Sequence, residues 1–120
     1  FDLIMVDGFD GKAKVGPLNS TAFYLNCKAH LNEQGYLVAN LLSNQKDSAQ
    51  GKQRLLDAFD GNAIALPPCA SGNVIALAHV GAGFTKAQAD LHANCAALKE
   101  ETGLNLSNTV AKLIEVSPKV

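Results

Sequence analysis

Four short apolar runs divide the chain, each stopped by turn-forming or polar residues. Leu3–Val6 ends at Asp7-Gly8, Tyr36–Leu42 at Ser43-Asn44-Gln45, Asn62–Leu66 at Pro67-Pro68, and Val74–Val80 at Gly81-Ala82-Gly83. Apolar runs of this length bounded by turn residues read as strands, and unbroken ones as strands buried on both faces, as in a parallel sheet. Between them the period lengthens. Phe23, Cys27 and Leu31 recur at spacings of four behind the capping side chains Asn19-Ser20-Thr21, which predicts a helix stopping near Asn32. Asp47-Ser48-Ala49-Gln50 resembles a capping box and opens a helix to about Phe59, with Leu55, Leu56 and Phe59 facing inward. Thr85-Lys86-Ala87-Gln88 is a second such box, and Ala87, Leu91, Cys95 and Leu98 line one face behind it. Gly103 stops that helix, and Leu106, Val110, Leu113 and Ile114 mark a short final one.

Strand-helix-strand-helix-strand-strand-helix-helix predicts an α/β fold: a mostly parallel sheet with helices on its faces, ending in an antiparallel hairpin. Only Pro67–Gly72 separates the last two strands, whereas a parallel crossover needs about a dozen residues. Residues 1–120 read as a single domain. Because the chain opens on Phe1, already inside a strand, it also reads as a piece of a longer polypeptide. In that case Leu3–Val6 has lost a neighbour and becomes an exposed apolar edge, through which the chain is expected to form a homo-oligomer. No glycine-rich nucleotide loop comes after any strand, so a nucleotide-like ligand would depend on a missing amino-terminal half.

Composition narrows the partners. With 10 basic and 11 acidic residues, scattered rather than clustered, neither nucleic acid nor an anionic membrane surface is an expected partner. No apolar run approaches the roughly 20 residues that span a bilayer, and no basic-then-apolar leader is visible. Three cysteines in no CxxC pattern make a reduced, cytoplasmic setting the expectation. Cys27 with His30, and His92 with Cys95, are spaced three apart and could together hold zinc. Both cysteines also fall on the apolar stripes of their helices, where a thiol behaves as a small hydrophobe, and that reading is preferred, with no metal. His79 lies late on a reversed strand, away from the ligand edge.

The candidate chemistry lies at the first turn. In open α/β sheets the ligand crevice is just beyond the carboxyl ends of the strands. Asp7 would sit at such an end and Asp10 on the loop above it. Spacing alone favours the simpler reading, a turn with both acids in solvent.

The acidic turn and the segments beyond it also carry a family resemblance. The segments DLIMVDGFDG, VGPLNSTAFYLNCKAHLNEQGYLVANL and LPPCASGNVIAL resemble the carboxyl half of a spermidine synthase-type polyamine aminopropyltransferase. That family has an acidic turn usually written Asp-Ser-Ser-Asp-Pro, then Gly-Pro and a helix ending Leu-x-x-x-Gly. A buried strand and a Pro-x-x-x-Ser-Gly turn come next. Here these map to Asp7–Gly11, Gly16-Pro17, Leu31–Gly35, Tyr36–Leu42 and Pro67–Gly72. The likeness covers the chain to about Val80 and weakens beyond it.

The resemblance implies the carboxyl-terminal half of a Rossmann-like, S-adenosylmethionine-dependent methyltransferase fold, the donor-binding half being absent. It also implies aminopropyl transfer from decarboxylated S-adenosylmethionine, a co-substrate rather than a bound cofactor, to a polyamine such as putrescine. By position, Asp7 is then the general base and Asp10 holds the cationic acceptor. Gly16, Pro17 and Leu18 border the adenine. Asn40 stands near a polyamine-contacting Gln of the family, and Cys69 where the family has an acceptor-contacting Tyr. Gly11 replaces the usual proline. Two alternatives remain: other S-adenosylmethionine chemistry on the same fold, or a polyamine-binding domain without turnover.

Overall fold

Ser20 starts the first helix as the sequence suggests. Its extended backbone leaves the hydroxyl free to accept from the Phe23 N–H at 3.2 Å, satisfying one of the orphan donors of the first turn. The computed structural model describes residues 1–8, 16–41, 45–81, 84 and 88–118. In chain order its elements are β1 (Leu3–Val6), a 3₁₀-helix (Gly16–Asn19), α1 (Thr21–His30), β2 (Tyr36–Leu41) and α2 (Gln45–Ala58). Then come β3 (Ala63–Ala65), β4 (Val74–His79), α3 (Gln88–Thr102) and α4 (Ser107–Val116). The helix expected to open at Asp47 begins two residues earlier, so Asp47 lies inside its first turn, where its charge still complements the helix dipole. Residues 16–19 form a single 3₁₀ turn.

The sheet corrects one expectation. Its strands lie in the order β1-β2-β4-β3. β1 pairs with β2 in parallel, but β4 runs antiparallel to both β2 and β3. The sheet is therefore mixed, and not mostly parallel. The short β3–β4 connection forces that pair to be antiparallel. Once β4 fills the place between β2 and β3, its second pairing is antiparallel as well, because β2 and β3 share a direction.

Burial also alternates more than the apolar runs suggest. Leu37, Ala39 and Leu41 of β2 are buried, while Tyr36, Val38 and Asn40 between them are half-buried. Ala76 and Ala78 of β4 continue the buried face, and Tyr24, Cys27, Leu55, Ala58 and Phe59 from the two helices close over it in one cluster. The small alanines let the helices approach the strands closely. Tyr24, rather than Phe23, is the deepest side chain of α1.

α2 ends at Phe59-Asp60-Gly61, where Asp60 takes φ 54° and Gly61 φ 84°. The left-handed turn sends the Gly61 N–H back to the Leu56 carbonyl at 2.8 Å, closing the last helical turn. Aspartate tolerates this region better than most residues, and its carboxylate meets the Lys28 ammonium at 2.5 Å.

The chain divides into two units, Phe1–Gly83 and Phe84–Val120. In the second, α3 ends at Gly103, whose φ of 76° lets its N–H reach the Lys99 carbonyl at 2.8 Å. Val110 is buried, and Leu91, Cys95, Leu98, Leu113 and Ile114 are half-buried, matching the expected stripes. Thr85–Ala87 of the second capping box lie outside the described residues. No helix among the described residues is long and apolar enough to cross a membrane.

Candidate functional site

β1 and β2 end side by side. Their parallel register sets Val6 opposite Ala39, so the next residues, Asp7 and Asn40, meet at the carboxyl edge. The Asn40 amide Nδ2 donates to Asp7 Oδ1 at 3.1 Å. Asp7 is exposed and Asn40 half-buried. The Asn40 Oδ1 atom is shut off from solvent and has no hydrogen-bond partner among the described residues.

The 3₁₀-helix packs against the backbone just after Asp7. A Cβ built on Gly8 would lie 2.5 Å from the Leu18 Cδ1 methyl, so the chain there runs directly beneath Leu18. Both helices of the covered face hold this 3₁₀ turn in place. The Tyr24 hydroxyl of α1 donates to Asn19 Oδ1 at 2.9 Å, and Arg54 Nη1 of α2 donates to the Asn19 carbonyl at 2.8 Å. The Ser20 hydroxyl donates to the Pro17 carbonyl at 2.8 Å. Gly51 of α2 admits this approach: a Cβ there would stand 3.0 Å from both Asn19 Oδ1 and Leu41 Cδ2. Burial pushes the Tyr24 phenol up to about 12, the nearby Arg54 guanidinium pulling the other way and Cys27 adding to the rise. Tyr24 therefore stays a neutral donor across the physiological range.

Cys69 belongs to the turn between β3 and β4. Opposite pairing of Leu41 with Val74 and Asn40 with Ile75 brings that turn to the same sheet edge as Asn40. The turn is tight: the Cys69 N–H donates to the Asn73 carbonyl at 2.9 Å, and the Gly72 N–H to the Cys69 carbonyl at 2.8 Å. The exposed Cys69 thiol lies 2.9 Å from the Ser71 hydroxyl, a contact that lowers its pKa by favouring the thiolate.

Of the residues singled out from the sequence, the structure unites Asp7, Asn40 and Leu18, the last on the 3₁₀ turn it shares with Gly16 and Pro17. It sets Cys69 on the same edge. Asp10 lies outside the described residues. Arg54 and Asn19 are supports that sequence reasoning missed, because a side chain bonding to a backbone carbonyl 35 residues away leaves no local signature. His79 is buried and pairs across the sheet with Tyr36, at the opposite end from Asp7. His30 is exposed, its Nδ1 at 2.8 Å from the Asn26 carbonyl of its own helix. Among the described residues no three His, Cys, Asp or Glu side chains gather as metal ligands would, and Cys27 packs in the core.

Two sequence relatives match part of the chain. Over 77 residues, 64% of the chain, the sequence is 40% identical to a polyamine aminopropyltransferase of Chromobacterium violaceum. Over the same length it is 36% identical to a polyamine aminopropyltransferase of Neisseria meningitidis serogroup A. The chain spans 30% and 29% of the length of those two relatives. No family model matches the chain, and no solved structure does.

Proposed function

Since the chain belongs by sequence with the polyamine aminopropyltransferases, we propose that it carries the amine-acceptor part of such a transferase, with Asp7 as the general base. The observation that carries this reading is the exposed Asp7 carboxylate at the end of β1, held by Asn40 beneath the 3₁₀ turn. The fold we assign is the carboxyl-terminal half of a Rossmann-like, S-adenosylmethionine-dependent methyltransferase domain. Three strands sharing one direction, with a reversed strand between the second and third, support it.

The chemistry rests on charge. A primary amine titrates near 10 and is an ammonium at neutral pH, without the lone pair needed for attack. A carboxylate beside it favours the cation in the encounter and accepts one proton as attack begins. The nitrogen then displaces methylthioadenosine from the aminopropyl carbon of decarboxylated S-adenosylmethionine. One C–N bond forms, one C–S bond breaks, and the sulfonium leaves as a neutral thioether. Because that leaving group is already good, alignment of the two substrates is the remaining task. In this proposal Asp10 adds a second negative charge for a dicationic acceptor, Cys69 lines its far side, and Gly16, Pro17 and Leu18 border the adenine.

The test is a polypeptide of the relatives' length carrying this sequence. It is incubated with decarboxylated S-adenosylmethionine and a panel of amines, and methylthioadenosine and aminopropylated amine are followed by mass spectrometry. Turnover is expected, with Asp7→Asn lowering kcat by about a hundredfold or more. Amine binding without product would favour a polyamine-binding domain. No amine binding, with S-adenosylmethionine still bound, would favour other chemistry on the same fold.

A further inference from the structure

We propose that Arg54 is a positioning residue for the sulfonium donor: by holding the Gly16–Asn19 turn over the end of β1, it sets the wall that the adenine meets. The inference rests on the reading of that turn as the adenine border. Three observations carry it. The turn has no fully buried residue, so its supports add little to the core. Even so, two helices reach for it: Arg54 Nη1 of α2 donates to the Asn19 carbonyl at 2.8 Å, and the Tyr24 hydroxyl of α1 to Asn19 Oδ1 at 2.9 Å. Third, α2 carries a glycine in its interior, Gly51, where a Cβ would stand 3.0 Å from Asn19 Oδ1.

Gly51 and Arg54 are three residues apart and so share one face of α2. Glycine inside a helix is less stable than alanine, and a half-buried guanidinium gives up part of its hydration. Both costs fall at one contact, on a turn outside the core, which is where folds give up stability for a site. The guanidinium suits the task. It is planar and always charged, so its bond to a carbonyl is strong and fixed in direction. The turn rests in its own right on the backbone of Gly8 through Leu18. Asp7 is held separately, by the Asn40 amide at 3.1 Å. A turn that shifts therefore moves the adenine wall and leaves the base where it is.

Donor and acceptor are therefore separable by experiment. In a polypeptide of the relatives' length carrying this sequence, Arg54→Met removes the charged fork and keeps an apolar stem. KM for decarboxylated S-adenosylmethionine and the Kd of methylthioadenosine are each expected to rise about tenfold, while KM for the amine changes by less than about twofold. Arg54→Lys, a point charge in place of the fork, is expected to fall between. Gly51→Ala, which crowds the turn from the same face with Arg54 in place, is expected to raise the same two constants. A role in stability alone would lower the active fraction, and so kcat, with both KM values unchanged. That pattern, or equal rises in the two KM values, overturns the role of Arg54 and leaves the transferase reading intact. If Arg54→Met does not fold, methylthioadenosine binding that is unchanged in both Arg54→Lys and Gly51→Ala overturns it instead. An unaltered polypeptide that binds no methylthioadenosine overturns the adenine border and the role of Arg54 together.

Discussion

A methyl group on Gly8 would have to share space with the Leu18 side chain, the two carbons being 2.5 Å apart before anything yields. What yields is the free end of a leucine rather than backbone, so the strain is small. Gly8→Ala is expected to cost about 1 kcal/mol by urea denaturation. Adding Leu18→Ala should recover part of it, a coupling that a double-variant cycle measures directly. Tyr24 offers a pH-dependent counterpart. Its phenol titrates near 12 in the folded chain against 10.0 as its ordinary value, so the folded state holds the proton more tightly. Its contribution is complete below pH 10 and is lost as the pH climbs towards 12, at most about 3 kcal/mol for a shift of this size. The buried Cys27 thiol, also raised, drains stability in the same direction. Tyr24→Phe is expected to lose about 1 kcal/mol at neutral pH with the bond to Asn19, and to flatten the alkaline decline. Thermal unfolding between pH 7 and 12 distinguishes the two effects. That Asp7 follows a strand end was legible from sequence because an apolar run that stops at a turn marks one. Asn40 entered through the family resemblance, but its bond to Asp7 was not legible, since it depends on a strand register that neither segment contains.

At the scale of elements, Ser20 serves two neighbours at once. Its hydroxyl accepts from the Phe23 N–H of α1 and donates to the Pro17 carbonyl of the 3₁₀ turn. Ser20→Ala is therefore expected to cost about 1 kcal/mol, the usual loss of a helix cap, measured by the same denaturation. Weakened anchoring of the turn should also appear as faster amide exchange at Leu18 and Asn19, whereas a loss confined to the helix would leave those amides unchanged. The Ser20 cap, the helix faces and the antiparallel hairpin were legible because each is written within a dozen residues. The place of β4 between β2 and β3 was not, because a short connection fixes one neighbour of a strand and says nothing of the other. The alternating burial of β2 has a similar origin. An all-apolar strand reads as covered on both faces, but Tyr36 and Val38 lie on the face opposite the helical cluster and are only half-buried.

The whole molecule treats its two sheet edges differently. β3 closes one edge with three residues, two of them buried, which is how sheets ordinarily blunt an edge. β1 is the other edge, pairing with β2 alone among the described strands. Its open face carries Leu3 at 50% and Met5 at 73% exposure, with Phe1 beside them at 72%. Next to it a groove of about 420 Å³ runs between β1 and α1, walled by Phe1, Leu3, Ile4 and Phe23. Unpaired backbone groups and apolar side chains together favour strand addition, because a second copy can satisfy the first while covering the second. The 120-residue chain is accordingly expected to self-associate, its mass by light scattering rising with concentration. Met5→Lys tests the route. The side chain already faces solvent, so stability should change by no more than about 0.5 kcal/mol, while a charge on the edge opposes pairing. The variant is expected to remain a monomer where the parent chain grows. A parent chain that holds monomer mass at every concentration would show that this edge does not pair. If both chains grew alike, association would have to run through another surface.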